Sequence, residues 1–376
     1  MTNRLCIAVY AIARDEARHV ERFTASIEDA DHVVIADTGS SDETAHRLRE
    51  RGAQVTETCI DPWRFDDARN TALALVPADV DVCISLDLDE VLQPGWRKAL
   101  EATWTAGATR LRYPFVSSWN DDGTPGVTFR NNRVHARRGY RWRLPIHEIL
   151  EWRGEGEERE VATEDFVVHH HPDEQKSRSS YLPLLCTAAA DSPEDPRLSH
   201  YLGREYGFHQ RHDEAIRELC RSLELPRNSW APQRAEACRL IAKSCEQLGR
   251  LDEALHWAWR AVAEHPTQRE PWVDLASALY HRGDYEGGYF AARRALSLAT
   301  RSPDYFSEPH AWGSLPDDLA AICAWEIGLY DYARRHAVNA ARLDPANERL
   351  QRNVELMAAC SPDASGPHGE RSRERV

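Results

Sequence analysis

The stretch Val80-Asp81-Val82-Cys83-Ile84-Ser85-Leu86-Asp87-Leu88-Asp89-Glu90 settles how this chain is to be read. A short apolar run with the character of a buried strand ends in a D-x-D-E cluster. Two carboxylates two residues apart, where a strand gives way to a loop, suit a hard divalent cation that keeps positions open for phosphate oxygens. Taken alone, the pattern fits a solvated acidic turn equally well.

The preceding residues give the cluster a place in a fold. Leu5–Ala13, His32–Ala36, Gln54–Thr58 and Asp81–Leu86 are strand-like; Asp15–Ile27, Ser41–Arg51 and Phe65–Leu75 between them have helical spacing. Strands alternating with helices predict a parallel sheet covered on both faces. Ligands of such sheets sit at the carboxyl ends of the strands. Two strand ends carry polar clusters, Asp37-Thr38-Gly39-Ser40-Ser41-Asp42 and Asp87-Leu88-Asp89-Glu90, and both are expected to face one crevice.

Composition bounds the rest. The 376 residues suffice for two domains with real cores, and 42% apolar content with 12 Trp describes a folded protein. A net charge of −14 argues against bulk affinity for nucleic acid or anionic membrane. Nine Cys are scattered singly with no C-x-x-C pair, which reads as small reduced core residues. The start, Met1-Thr2-Asn3-Arg4, lacks a signal-peptide pattern, and no run of 18 apolar residues exists, so a cytoplasmic location is expected.

Beyond residue 195 helix-length segments come in pairs: Leu198–Gln210 with Asp213–Glu224, Gln233–Leu248 with Leu251–Glu264, Pro271–Arg282 with Tyr285–Leu298, and Asp317–Gly328 with Tyr330–Leu343. Each second helix opens near a small residue: Ala215, Ala254, Gly288 and Ala333, spaced 39, 34 and 45 apart. Gly249, Gly283 and Gly328 stand five positions before three of them; Gln210 holds that place in the first, degenerate unit. The pattern resembles tetratricopeptide repeats, whose period is 34 residues, and the longer spacings imply insertions. The expected organisation is an α/β domain over 1–172, a linker or helix over 173–194, helical repeats over 195–358 and a disordered tail over 359–376.

The motifs of residues 5–172, taken in order, resemble the GT-A-fold family 2 glycosyltransferases, above all the bacterial subgroup with C-terminal tetratricopeptide repeats. Ile12-Ala13-Arg14-Asp15-Glu16 is similar to that family's K-N-E segment, and Ala36-Asp37-Thr38-Gly39-Ser40-Ser41-Asp42-Glu43-Thr44 to its D-x-G-S-x-D-x-T motif. Phe65-Asp66-Asp67-Ala68-Arg69-Asn70 resembles F-x-x-A-R-N, Asp87-Leu88-Asp89-Glu90 the D-x-D-E segment, and Ile146-His147-Glu148 the later I-H-E; His169 matches a histidine-bearing strand. The implied fold is a Rossmann-like GT-A domain that binds a nucleotide sugar, followed by an all-α repeat domain.

What the resemblance implies for the residues can be set beside their plainer readings. Asp87 and Asp89 are to bind Mn²⁺ or Mg²⁺ against a diphosphate, with Leu88 turned into the core and Glu90 supporting the pair from behind. Asp37, Gly39, Arg69, Asn70 and Asp87 are to surround a UDP- or GDP-sugar; Asp37 and Gly39 also fit an ordinary turn, and Arg69 a surface helix. Glu148 is the expected general base, with Asp121, Asp122 and Asp165 as competitors and Asp121-Asp122-Gly123 most like a turn. On a strand His169 and His171 share one face, so either is a candidate third metal ligand or a hydrogen-bonded wall residue. Arg130, Arg133, Arg137, Arg138, Arg141 and Arg143, with Tyr140 and Trp142 interleaved, fit a diphosphate or anionic-acceptor cradle, a nucleic-acid track or a solvated hairpin.

The resulting expectation is a metal-dependent inverting glycosyltransferase acting on a hydroxyl or thiol. A peptide, protein or glycan acceptor, or a second copy of the chain, is to engage the repeats. A nucleic-acid glycosyltransferase and a repeat scaffold with a silent first domain are the alternatives.

Overall fold

The structure is a computed structural model describing residues 4–120, 122–172, 181–301 and 306–359. Asp121, Cys360 and the tail that follows it, and residues 173–180 of the expected linker lie outside the described residues. The chain packs as two compact units, one extending to Asn228 and one beginning at Ser229.

The alternation read from the sequence is present. It runs β1 (Ile7–Ala13), α1 (Val20–Ser26), β2 (His32–Asp37), α2 (Thr44–Glu50), β3 (Gln54–Glu57), α3 (Phe65–Leu75), β4 (Val82–Ser85). These four strands are parallel, in the order β3-β2-β1-β4. Successive residues of β1 feed opposite cores, as the pleat requires. Ile7, Val9, Ala11 and Ala13 join Val20, Phe23, Trp96 and Leu100 on one face. Ala8 and Tyr10 join Ala72, Leu73, Val76 and Trp142 on the other. Both faces are covered, so near-continuous apolar strands are what the sequence must supply.

Beyond β4 the sheet departs from the parallel expectation. The chain continues as β5 (Glu90–Leu92), α4 (Trp96–Thr103), β6 (Arg110–Val116), β7 (Thr128–Ala136), β8 (Tyr140–Arg143), β9 (Ile149–Trp152), β10 (Glu160–Ala162) and β11 (Val168–His170). β7 runs antiparallel to both β4 and β6, β11 is parallel to β6, and β5 closes the edge antiparallel to β11. No helix separates β6 from β7, and without a crossover two neighbouring strands can pair only antiparallel. β8 and β9 form a separate hairpin whose Tyr140, Trp142 and Leu150 pack on the α3 side of the sheet.

The helices after residue 180 are α5 (Tyr181–Asp191), α6 (Pro196–Phe208), α7 (His212–Glu224), α8 (Ala231–Gln247), α9 (Leu251–Glu264), α10 (Arg269–Arg282), α11 (Tyr285–Ser297), α12 (Leu315–Glu326), α13 (Tyr330–Leu343) and α14 (Glu348–Ala359). Four of the expected pairs are helix hairpins; α5 and α14 extend them. Ala215, Ala254 and Ala333 are buried, and a Cβ on Gly288 would lie 2.8 Å from Cys323 Sγ. The small positions therefore mark close approach between packed helices. The 45-residue spacing is explained by an insertion between α11 and α12 that carries a 3₁₀ turn, Pro309–Trp312. Of the cysteines, Cys83, Cys238, Cys245 and Cys323 are buried, whereas Cys59 and Cys186 are exposed; all described thiols are free.

Gly249, Gly283 and Gly328 terminate their helices at φ 72, 80 and 79°. Gln210 adopts φ 58° at the equivalent place, so the first hairpin keeps the backbone and lacks the residue that suits it. A left-handed backbone costs an ordinary residue about 1–2 kcal/mol. Gln210→Gly is accordingly expected to stabilise the first unit by about 1 kcal/mol. Gly283→Ala, which meets no atom within 4 Å and acts through φ alone, should destabilise the second by a similar amount. Urea unfolding of each variant checks both signs.

Candidate functional site

β4 is fully buried and delivers Leu86 and Leu88 into the core, which turns the intervening Asp87 away from it. Asp37 ends β2, two strands along the same parallel edge. Both polar clusters thus stand at carboxyl ends of one sheet, but their side chains are engaged differently.

Asp37 is turned onto its own loop. It is 2% exposed; Oδ2 accepts from the Gly39 and Ser40 amides at 3.3 and 3.0 Å, and Oδ1 from Ser40 Oγ at 2.5 Å. Gly39 sits at φ 99° with open space where a Cβ would be, so its glycine serves the turn. Asp15 fastens this loop to the one after β1 by accepting from the Ser41 amide at 2.7 Å.

Arg69 is the centre of the acidic side. Its guanidinium, 5% exposed, donates from Nη2 to Asp87 Oδ1 at 2.8 Å and from Nε to Glu148, and lies 5.1 Å from the Trp142 ring centroid. Its Nη1 is buried with no hydrogen-bond partner among the described residues. Asn70, beside it, holds Trp142 by its backbone: Nδ2 donates to Trp142 O at 2.9 Å and Oδ1 accepts from Trp142 N at 2.9 Å. The expected nucleotide contact of Asn70 is replaced here by a structural one.

Arg133 on β7, read from the sequence as one of a basic stretch, completes the cluster. It donates from Nη1 to Asp87 Oδ2 at 3.1 Å and from Nη2 to Glu90, whose other oxygen accepts from the Asp87 amide at 3.0 Å. Burial opposes the charge on Asp87, but Arg69 and Arg133 outweigh it and hold the carboxyl well below the usual range. Burial pushes the Glu90 carboxyl up from its usual range, against the opposing pull of Arg133.

Asp89 has a different neighbour. Its Oδ2 lies 3.4 Å from His170 Nε2, and its carbonyl accepts from the His171 amide at 2.9 Å. His169 and His171, the expected pair, flank Trp119 instead, edge-on at 5.1 Å and stacked at 5.4 Å. His169 and His171 thus share a face, and His170, registered opposite Glu90, takes the other. Among the described residues no group of three His, Cys, Asp or Glu side chains is arranged to hold an ion.

Glu148 follows a strained segment. Leu144 and His147 adopt φ 82 and 50°, each costing about 1–2 kcal/mol, and strain of this kind gathers at functional sites. Of the competing bases, Asp122 Oδ1 accepts from the Thr124 amide and hydroxyl at 2.9 and 2.5 Å, the turn read from the sequence, and Asp165 is exposed. The arginine-rich stretch is no open basic track. Arg133 and Arg137 point inward, the latter to Val76 O and Pro77 O; Arg130 and Arg143 pair with Glu164 and Glu151; Arg138 and Arg141 are exposed.

No family model matches the chain. A tetratricopeptide repeat-containing protein of Synechococcus elongatus is 28% identical over 315 residues, covering 78% of this chain and 75% of its own length. The helical part is a tetratricopeptide-type repeat region. Helices α6–α14 lie within residues 196–359 of 376, so a likeness over 78% of the chain also reaches the α/β part. Among solved structures, YrrB, described as a tetratricopeptide repeat protein with an unusual peptide-binding site, is 15% identical over 46% of this chain and 82% of its own, with a TM-score of 0.39. MamA is 15% identical over 45% and 89%, with a TM-score of 0.36. The Cut9–Hcn1 assembly is 13% identical over 48% of this chain, with a TM-score of 0.38, and the chain spans a third of that protein's length. No helix among the described residues is long and apolar enough to cross a membrane.

The Asp89 contact raises the His170 pKa above the ordinary 6.5 although burial works the other way. A raised folded-state value means the pair stabilises fully below about pH 6.5 and loses that contribution as pH rises through the raised value. Asp89→Asn should lower the His170 pKa, so that the ring deprotonates at a lower pH. An NMR titration of the His170 ring proton reads it.

Proposed function

We propose that the protein is a glycosyltransferase that takes a sugar from a UDP- or GDP-linked donor and passes it, with inversion, to a hydroxyl or thiol. The repeat region would recruit a peptide, protein or glycan acceptor or mediate self-association. The observation that carries the reading is the Asp89–His170 pair just past the end of β4, at the carboxyl edge of the parallel strands, where Arg69 holds the neighbouring Asp87 and keeps a buried Nη1 without a partner among the described residues. A buried N–H without a partner is costly, and an incoming oxygen acceptor relieves it. Phosphate or uracil carbonyl oxygens supply one.

In this reading Asp89 and His170 hold Mn²⁺ or Mg²⁺, which when bound neutralises charge on the departing diphosphate. Arg69 binds the donor through Nη1 while its other nitrogens fix Asp87 and Glu148. Glu148 takes the acceptor proton, and its contact with Arg69 orients it. The domain division follows the resemblance, with the α/β part up to residue 172 carrying the site. The motifs read from residues 12–16, 36–44, 65–70 and 146–148 support the assignment to the GT-A family 2 enzymes.

A scaffold with a silent first domain is the second reading. Both Asp87 oxygens are occupied by arginines, Asp37 is closed into its own turn, and the Synechococcus relative is described by its repeats alone.

Calorimetry with UDP and GDP, with and without Mn²⁺, and turnover of a UDP- and GDP-sugar panel separate the two. The transferase reading expects metal-dependent nucleotide binding that weakens at least tenfold in Asp89→Ala and in His170→Ala, with loss of turnover. Wild-type protein that binds neither nucleotide and turns over no donor is a scaffold.

A further inference from the structure

The residues leading to Glu148 are held from outside the sheet. Leu144 and Ile146 bury their side chains with Leu185 and Ala188 of α5 and Leu198 and Leu202 of α6. The His147 ring stacks on Tyr201 of α6, with centroids 4.0 Å apart and planes 22° from parallel. The Arg204 guanidinium covers the same Tyr201 ring at 5.0 Å. On the other side the Phe65 amide, at the start of α3, donates to Pro145 O at 3.0 Å, and Arg64 pairs with Asp191 of α5 at 3.1 Å. Two left-handed non-glycine residues within four positions persist only where packing over-determines them. Here that packing comes from α5 and α6.

We infer that Tyr201 is a positioning residue for transfer: by stacking on His147 it fixes the backbone that presents Glu148 to Arg69. The first helix of the repeat pattern is then part of the transfer machinery. The inference rests on the transferase reading and adds to it a residue some fifty positions beyond Glu148. Tyr201 touches neither donor nor acceptor in this scheme. It acts through His147 on the placement of the base, and small displacements of a base are costly to rate.

The full-length chain with Tyr201→Ala and Tyr201→Phe tests it. The alanine variant should lower kcat for transfer by roughly 10- to 100-fold, leave UDP affinity within about twofold, and move the acid limb of the pH–rate profile. Tyr201→Phe, which keeps the ring, should restore rate and profile. Amide exchange should rise across 144–150 in the alanine variant and stay unchanged in β1 and β4. Wild-type transfer by Tyr201→Ala, a phenylalanine variant as slow as alanine, or unchanged exchange at 144–150 each overturns the inference. So does a rate loss matched by equal loss of UDP binding, because that marks a general structural role. A wild-type chain that turns over no donor removes the transferase reading and the catalytic inference with it. In that case the exchange measurement reports separately on whether α6 braces the segment.

Discussion

The arrangement of the first unit hangs on one buried cation. Arg69 opens from α3, reaches Asp87 at the end of β4 and Glu148 after the β8 region, and rests on the Trp142 ring. These partners come from segments 18 to 79 residues away, so the guanidinium ties together elements that no local preference brings into register. Burial disfavours its charge, yet the two carboxylates more than offset that and keep it protonated. Arginine suits the place because a planar fork serves two anions and a ring face at once. A lysine would present a single point charge and leave one carboxylate buried without a partner. The remaining Nη1 of that fork is buried with no hydrogen-bond partner among the described residues.

Around this hub the acids divide their work. Asp87 and Glu90 are held by Arg69 and Arg133 and belong to the frame. Asp89 has no arginine among its described contacts and stands by an imidazole instead. Removing one member of a buried ion cluster leaves the others uncompensated, whereas the cluster as a whole adds little net stability. Its value to the fold is therefore geometric: it fixes where the D-x-D turn and the Glu148 segment stand. The second unit uses the same device. Arg239, almost wholly buried, pairs with Glu236 on its own helix and with Asp274 on α10, each at 2.6 Å, so that neighbouring repeats are joined by charge as well as by small-residue packing.

What the sequence made legible follows from how far each signal travels along the chain. The alternation through β4 and the helix pairs rest on periodicity, which is local, and those elements appear in the expected order, although the first helix spans only Val20–Ser26 of the expected Asp15–Ile27. The switch to antiparallel pairing after β4 depends on the absence of a helix between β6 and β7, and an arginine-rich, weakly patterned stretch hid it. In the histidine triplet alternation held, with His169 and His171 both against Trp119 and His170 beside Asp89, but alternation alone could not say which face meets the acidic turn. Asn70 and Arg133 were both named from the sequence, but their observed partners, 72 and 46 positions away, were not legible in it. An arginine on a strand following an acidic turn was the available hint for Arg133. The side-chain direction needed to use it comes only with strand order.

The boundary between the α/β and repeat regions is set by packing, and packing disagrees with periodicity about where it falls. α6 and α7 carry the repeat signature, with Gln210 and Ala215 five apart as in the later units, yet they belong to the first compact unit. The apolar face of residues 144–149 needs a cover, and α5 with α6 provides it. A repeat helix that covers such a face has one side committed to the α/β part of its own unit, which periodicity along the chain does not record.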